Sequence, residues 1–205
     1  DVRLVRWTVS DDFAAITHER ILAEGMPYTS GRHSGCRPRF KPGTEELWVG
    51  TGDGAWRRTP TPPQDPRSLG GKVLRMDRNG SGLPGNAPAP FLPQVFSWGH
   101  RNVQGLAFRP GDNATYSVEH GPFCDDEANR LHRPGGRGWD PGDGYVEDVP
   151  MTRAGGFAAM WSSGCPTVAP AGATFLSGSH WKVWEGALAV ALLKAQRLRV
   201  LKLTR

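Results

Sequence analysis

Two stretches of the chain carry residue types that could do chemistry together. Trp98-Gly-His-Arg-Asn-Val-Gln-Gly-Leu-Ala-Phe108 sets Arg101 and Asn102 just ahead of an apolar run. Glu119-His-Gly-Pro-Phe-Cys-Asp-Asp-Glu127 follows, with carboxylates on either side of a Gly-Pro pair. The runs Gly105-Leu-Ala-Phe108 and Thr115-Tyr-Ser-Val118, joined by the turn Arg109-Pro-Gly-Asp-Asn113, read as a β-hairpin. Antiparallel strands place the start of the first beside the end of the second. Arg101 and Asn102 are therefore expected beside Gly121, Pro122 and the run Asp125-Asp126-Glu127. A guanidinium fork next to backbone carbonyls and carboxylates can hold an anionic ligand together with a hard metal ion.

The elements that must position these residues recur along the chain. Arg37-Pro-Arg-Phe40 and Leu47-Trp-Val-Gly50 form one strand–turn–strand unit, the hairpin above a second, and Gly172-Ala-Thr-Phe175 with Ala187-Leu-Ala-Val190 a third with a longer turn. A basic, apolar strand follows each: Lys72-Val-Leu-Arg-Met76, Asn129-Arg-Leu-His132 and Arg199-Val-Leu-Lys-Leu203. Val2 to Val9 reads as the same element of a preceding unit. His33 and Arg101 each stand seven residues before the Phe that closes a first hairpin strand, and Thr167 stands eight before Phe175. Asp53, then Gly121 with Pro122, then Lys194 follow the second strands. Hairpin geometry puts both sets on one face.

The units recur roughly every 65 residues, longer than the ~40–50 of common propeller repeats. The excess lies in 53–71, 77–94 and 134–165, which are rich in Pro, Gly, Asp and Arg and read as surface loops. Small sheets that cannot bury both faces alone stack on neighbours, and radial stacking leaves only short edges. An all-β propeller is expected over a β-sandwich, which would not predict the repeat. The shared face then rings the mouth of a central channel and suits a planar, polyanionic cofactor with a metal.

The 205 residues give ample chain for a core. Gly 27 and Pro 18 favour short strands over long helices. No apolar run is long enough to span a bilayer. The net charge of +5 is scattered and comes with no nucleic-acid recognition motif, so nucleic acid is not an expected partner. Three cysteines without a CxxC pair exclude a dense disulfide framework and a zinc pattern. With no start Met and no signal-peptide pattern, the chain reads as mature, trimmed or fragmentary. Each residue also has a plainer reading. A lone His before a strand usually bonds locally, Arg101 could pair with a blade carboxylate, Asp-Asp-Glu is most often a solvated turn, and Lys194 could be an exposed strand end. Their shared position in the repeat raises the functional readings together.

These segments resemble the soluble quinoprotein sugar dehydrogenases of the glucose/sorbosone dehydrogenase family, especially its aldose sugar dehydrogenase branch. The resemblance rests on His33-Ser-Gly-Cys-Arg37, Leu47-Trp-Val-Gly-Thr-Gly-Asp53, Leu69-Gly-Gly-Lys-Val-Leu-Arg-Met76, Gly99-His-Arg-Asn-Val-Gln-Gly-Leu-Ala-Phe108, Glu119-His-Gly-Pro122 with Asp125-Asp-Glu127, Trp161-Ser-Ser-Gly with Pro166-Thr-Val-Ala-Pro170, and Ala191-Leu-Leu-Lys194. It implies a six-bladed β-propeller, here an incomplete ring of about three or four blades over 1–205, binding pyrroloquinoline quinone (PQQ) and calcium and oxidising aldoses at C1. It implies His33 as general base, Arg101 beside the quinone oxygen, and Asn102, Thr167 and Lys194 as cofactor contacts. The carbonyls of Gly121 and Pro122 are implied as calcium ligands, and Glu127 as a structural-calcium ligand. It further implies an external electron acceptor and a periplasmic or secreted setting.

Departures from the family pattern are Cys36 at a usual Gly, Pro38 at a usual aliphatic residue, and Gly135-Gly-Arg-Gly-Trp139, one residue shorter than usual. Cys36, Cys124 and Cys165 all fall beside implied site residues, so two of them are expected within disulfide reach. Exposed blade edges would favour association, a homo-oligomer included. The competing functions are an inactive truncated propeller or sugar-binding remnant, and a calcium lactonase-type hydrolase with metal held mainly by side-chain carboxylates.

Overall fold

Runs such as Lys72-Val-Leu-Arg-Met76 become strands, and short turns gather them into four sheets. A computed structural model describes residues 1–29, 31–57 and 60–203. Residues 58 and 59 of the expected loop 53–71 lie outside the described residues. The first sheet is the hairpin β1 (Val2–Val9) and β2 (Ile16–Met26). The second runs β3 (Gly35–Phe40), β4 (Leu47–Thr51), β5 (Lys72–Met76) and β6 (Val95–Trp98). The third runs β7 (Val103–Phe108), β8 (Thr115–Glu119) and β9 (Glu127–Leu131). Two short strands from the 134–165 stretch extend these sheets: β10 (Gly135–Gly136) lies parallel to β6, and β11 (Trp161–Ser162) antiparallel to β9. The fourth sheet is β12 (Pro170–Phe175), β13 (Leu188–Leu192) and β14 (Arg197–Leu201). A 3-10 turn, Ser179–Trp184, fills the longer third connection.

The sheets stack in chain order because each buries its apolar faces against the next. Leu22, Ala23 and Met26 of the first meet Leu47, Val49, Leu74 and Met76 of the second. Trp48, Val73 and Phe96 of the second meet Val103, Leu106 and Phe108 of the third. Tyr116, Val118 and Ala128 of the third meet Phe175, Leu188 and Val190 of the fourth. Each Val, Leu, Met or Phe among them contributes about 1.5–3 kcal/mol on full burial. Aromatic edges lock the joints, Trp48 on Phe108 at 6.3 Å and Tyr116 on Phe175 at 5.1 Å. β8 is buried along its whole length, having a neighbouring sheet on either face. The result is an incomplete β-propeller.

The innermost strands β3, β7 and β12 lie side by side. At Gly105 a Cβ would sit 2.4 Å from the Ala171 carbonyl, so this approach admits no side chain. Each innermost strand also carries a bulge near the same end, between Gly35 and Arg37, Val103 and Gly105, and Pro170 and Ala173. Pro38 costs no ladder bond on a central strand, because β3 is the edge of its sheet. Cys36 adopts φ 62, a conformation that favours glycine and accounts for the residue expected there.

Lys72 anchors the long 53–71 loop from below. Its fully buried ammonium donates to the carbonyls of Pro62, Pro63 and Gly70, three donors for three acceptors. Burial pulls its pKa down to about 7. The unfolded chain therefore holds a proton that the folded one releases between about 7 and 10.5, so this group adds stability as pH rises through that window. Lys72→Met should cost about 1–3 kcal/mol at neutral pH by stranding buried carbonyls. The gap to wild type should widen between pH 7 and pH 10 in urea denaturation, and a constant gap would contradict the shifted lysine.

Candidate active site

The bulged ends of β3 and β7 deliver His33 and Arg101 to the same rim. His33 precedes β3 with φ 52, and its carbonyl accepts the Gly54 N–H at 3.1 Å. Only glycine fits opposite, since a Cβ on Gly52 would lie 1.8 Å from the His33 oxygen. The imidazole Nδ1 lies 2.8 Å from Asp53 Oδ1. Asp53 is fully buried and accepts three further bonds: Ala55 N–H at 2.9 Å, Trp139 Nε1–H at 2.8 Å and the Tyr145 hydroxyl at 2.8 Å. Four donors keep this carboxylate an acceptor, so the His33 proton sits on Nδ1 and Nε2 is left with its lone pair. The Tyr145 oxygen lies 2.9 Å from the same Nδ1. Burial, then the Asp53 charge, pushes the Tyr145 phenol well up, which keeps it protonated.

Arg101 is joined to this cluster through both backbone and side chain. Its carbonyl accepts the Asp53 N–H at 2.8 Å, and its own N–H donates to Glu119 Oε2 at 2.8 Å. The guanidinium stacks 5.5 Å from the Trp139 ring. Nη1 donates to the carbonyls of His120 at 3.2 Å and Gly121 at 2.9 Å, and Nη2 pairs with Glu147. Its Nε is buried without a partner. Asn102 bonds back to the first unit, its Oδ1 accepting the Gly35 N–H at 3.1 Å.

The third unit contributes Thr167 and Lys194, joined by a 3.1 Å bond from Nζ to Oγ1. Their loop is fastened to the 120–126 loop. The Thr167 N–H donates to the Phe123 carbonyl at 3.0 Å, and Asp126 Oδ2 accepts the N–H groups of Val168 and Ala169. A Cys124–Cys165 disulfide joins the same two loops and leaves Cys36 as the free cysteine. Thiol titration of the folded, oxidised protein should count one thiol. A count of three would remove the crosslink. Pro122 follows Gly121 on this loop, half-buried.

Glu127 sits further back. Its carboxyl takes the Thr152 hydroxyl and the Asn129 amide, each at 3.2 Å. Among the described residues no group of three or more His, Cys, Asp or Glu side chains is placed to hold a metal. The carboxylate cage of a lactonase-type site is therefore not found there. Trp139, Tyr145 and Glu147 are site residues that the repeat does not reveal, because they come from the irregular 134–165 stretch. A cavity of about 450 Å3 opens beside Tyr145 and Glu147.

A sequence model of the glucose/sorbosone dehydrogenase family matches residues 1–205. The aldose sugar dehydrogenase YliI of Escherichia coli strain K12 is 34% identical over 136 residues, covering 64% of this chain and 35% of that protein. The PQQ-bound aldose sugar dehydrogenase of Streptomyces coelicolor superposes with a TM-score of 0.79 at 29% identity, over 98% of this chain and 55% of that one. The apo form of the soluble E. coli aldose sugar dehydrogenase superposes with a TM-score of 0.84 at 26% identity, over 98% of this chain and 60% of that one. The chain spans half or less of the length of the curated relatives it matches.

Proposed function

Because the chain belongs to the glucose/sorbosone dehydrogenase family, we propose that its rim oxidises aldose sugars at C1 with the help of PQQ and calcium. The observation that carries this reading is the Asp53–His33 bond, which leaves Nε2 ready to accept a proton on the rim that also holds Arg101. The residues fit both groups. Arg101 has a buried Nε in want of an acceptor, which an oxygen-rich quinone acid offers. The Gly121 carbonyl is turned toward a positive charge, the Arg101 guanidinium, and such an oxygen also suits a hard cation. Gly121 and Pro122 would hold the metal, and Arg101, Asn102, Thr167 and Lys194 the cofactor.

When bound, PQQ supplies the acceptor for the hydride leaving C1, and calcium supplies the charge that polarises that acceptor. His33 Nε2 takes the proton of the C1 hydroxyl. Asp53 fixes the ring and stabilises the imidazolium that results. Arg101 stabilises negative charge that develops beside it. The Cys124–Cys165 bond supports a periplasmic or secreted setting, where disulfides persist. Among the described residues no helix is long and apolar enough to cross a membrane.

The test adds PQQ and calcium to the purified chain, follows binding by absorbance, and then follows dye reduction with an aldose and an external acceptor. Saturable binding and sugar-dependent reduction are expected. An ordered protein that does neither would leave an inactive or merely sugar-binding propeller, and lactone hydrolysis without PQQ would favour the hydrolase.

A further inference from the structure

We propose that the cavity beside His33 takes an anionic sugar, an aldose carrying a carboxylate or a phosphate ester, held by Arg32 and Arg57. The inference rests on the sugar-oxidising reading above and names its substrate class. The cavity measures about 450 Å3, within the range of about 300–1,000 Å3 usual for small-molecule pockets. Tyr145 belongs both to its wall and to the His33–Asp53 cluster, so one side chain separates an occupant from the proposed base.

The described lining is rich in donors and poor in acceptors. Arg32 and Arg57 offer guanidinium N–H groups alone. The Tyr145 hydroxyl is spent on Asp53, and the Thr29 hydroxyl donates to the Gly54 carbonyl. Glu147 is the one carboxylate among the described lining residues. It is committed to Arg101 and stands 3.7 Å from Arg32, too loose to use up that side chain. Among the described residues Arg57 has no ion-pair partner.

A neutral sugar presents hydroxyls, each of which seeks an acceptor as well as a donor. This wall would leave them short. A carboxylate or phosphate only accepts, and matches the planar fork of arginine. Trp56 and Tyr145 add apolar atoms to the lining. Arg32 is the residue next to His33, so the anionic end of the sugar and its reacting end are held by neighbouring residues of the chain.

Calorimetry on the chain without cofactor should show D-glucuronate or glucose 6-phosphate binding at least about tenfold more tightly than D-glucose, an advantage that shrinks with added salt. The tighter of the two acids names the carboxylate or the phosphate ester as the group recognised. In an Arg32→Gln, Arg57→Gln double variant the advantage should vanish while PQQ binding is unchanged. Equal affinity for glucose and both acids would overturn the proposal, as would an advantage that survives in the double variant. Acetate binding as tightly as glucuronate would reduce the site to a bare anion site and also overturn it. The two readings fail separately. Acid-sugar binding in a chain that neither binds PQQ nor oxidises sugar sinks the dehydrogenase reading alone, whereas turnover of glucose and both acids with one KM sinks this one alone.

Discussion

Replacing His33 by Gln in the PQQ- and calcium-loaded protein should lower kcat about 10²- to 10⁴-fold, the span usual for a lost general base. PQQ affinity should hold, because the imidazole reaches the rim through Asp53 and Tyr145 and is not among the residues assigned to the cofactor. The fold should hold as well. His33 contributes its backbone carbonyl to Gly54, and that bond survives the change of side chain. Steady-state turnover set beside a PQQ titration decides the matter. An unchanged kcat removes His33 from the chemistry, and a kcat lost only in step with PQQ binding makes it a cofactor contact.

The second large effect belongs to Asp53. An Asn whose oxygen keeps the Trp139 and Tyr145 donors, now on Asp53 Oδ2, presents an amide N–H where Oδ1 accepts from His33 Nδ1 and the Ala55 N–H. The imidazole must then turn its lone pair toward residue 53 and carry its proton on Nε2, the atom proposed above to accept one. The corresponding tautomer error in serine proteases costs about 10⁴ in kcat, and a loss on the order of 10³–10⁴ is expected for Asp53→Asn. The variant should also lose about 1–3 kcal/mol of stability, since the Ala55 N–H is stranded against another donor inside the protein. Nitrogen chemical shifts of the His33 ring report the tautomer directly. A ring still protonated at Nδ1 in a variant that turns over normally would refute the assignment.

The contrast between these two residues shows what the chain reveals when read as letters. His33 is visible because it stands where Arg101 stands in the next unit, and hairpin pairing turns equal spacing into a shared rim. The strands at 37–40, 47–50, 72–76, 105–108 and 115–118 are legible for the same reason, and the structure extends most of them by a residue or two toward that rim. The β2 strand is not legible. Its run Ile16-Thr-His-Glu-Arg-Ile-Leu mixes charged and apolar residues without a two-residue alternation. β6 hides because it is short and runs straight into the Trp98-Gly-His segment. Trp139, Tyr145 and Glu147 lie in a stretch with no period at all. Their placement depends on long-range bonds to Asp53 and Arg101, which spacing along a chain does not encode. Trp139 could have been noticed as a large apolar residue amid glycines, but nothing local says which carboxylate it would find.

The extra residue that each innermost strand takes up at its rim end has a wider meaning. Below it, the alternation of side chains is dictated by the layers on either side, and a change there disturbs packing across a whole joint. Above it that dictation lapses, and the residues there are free to answer to whatever sits in the mouth. A scaffold divided in this way can exchange its reactive groups at the top, as Arg101 stands where His33 does one unit earlier, without renegotiating the architecture underneath.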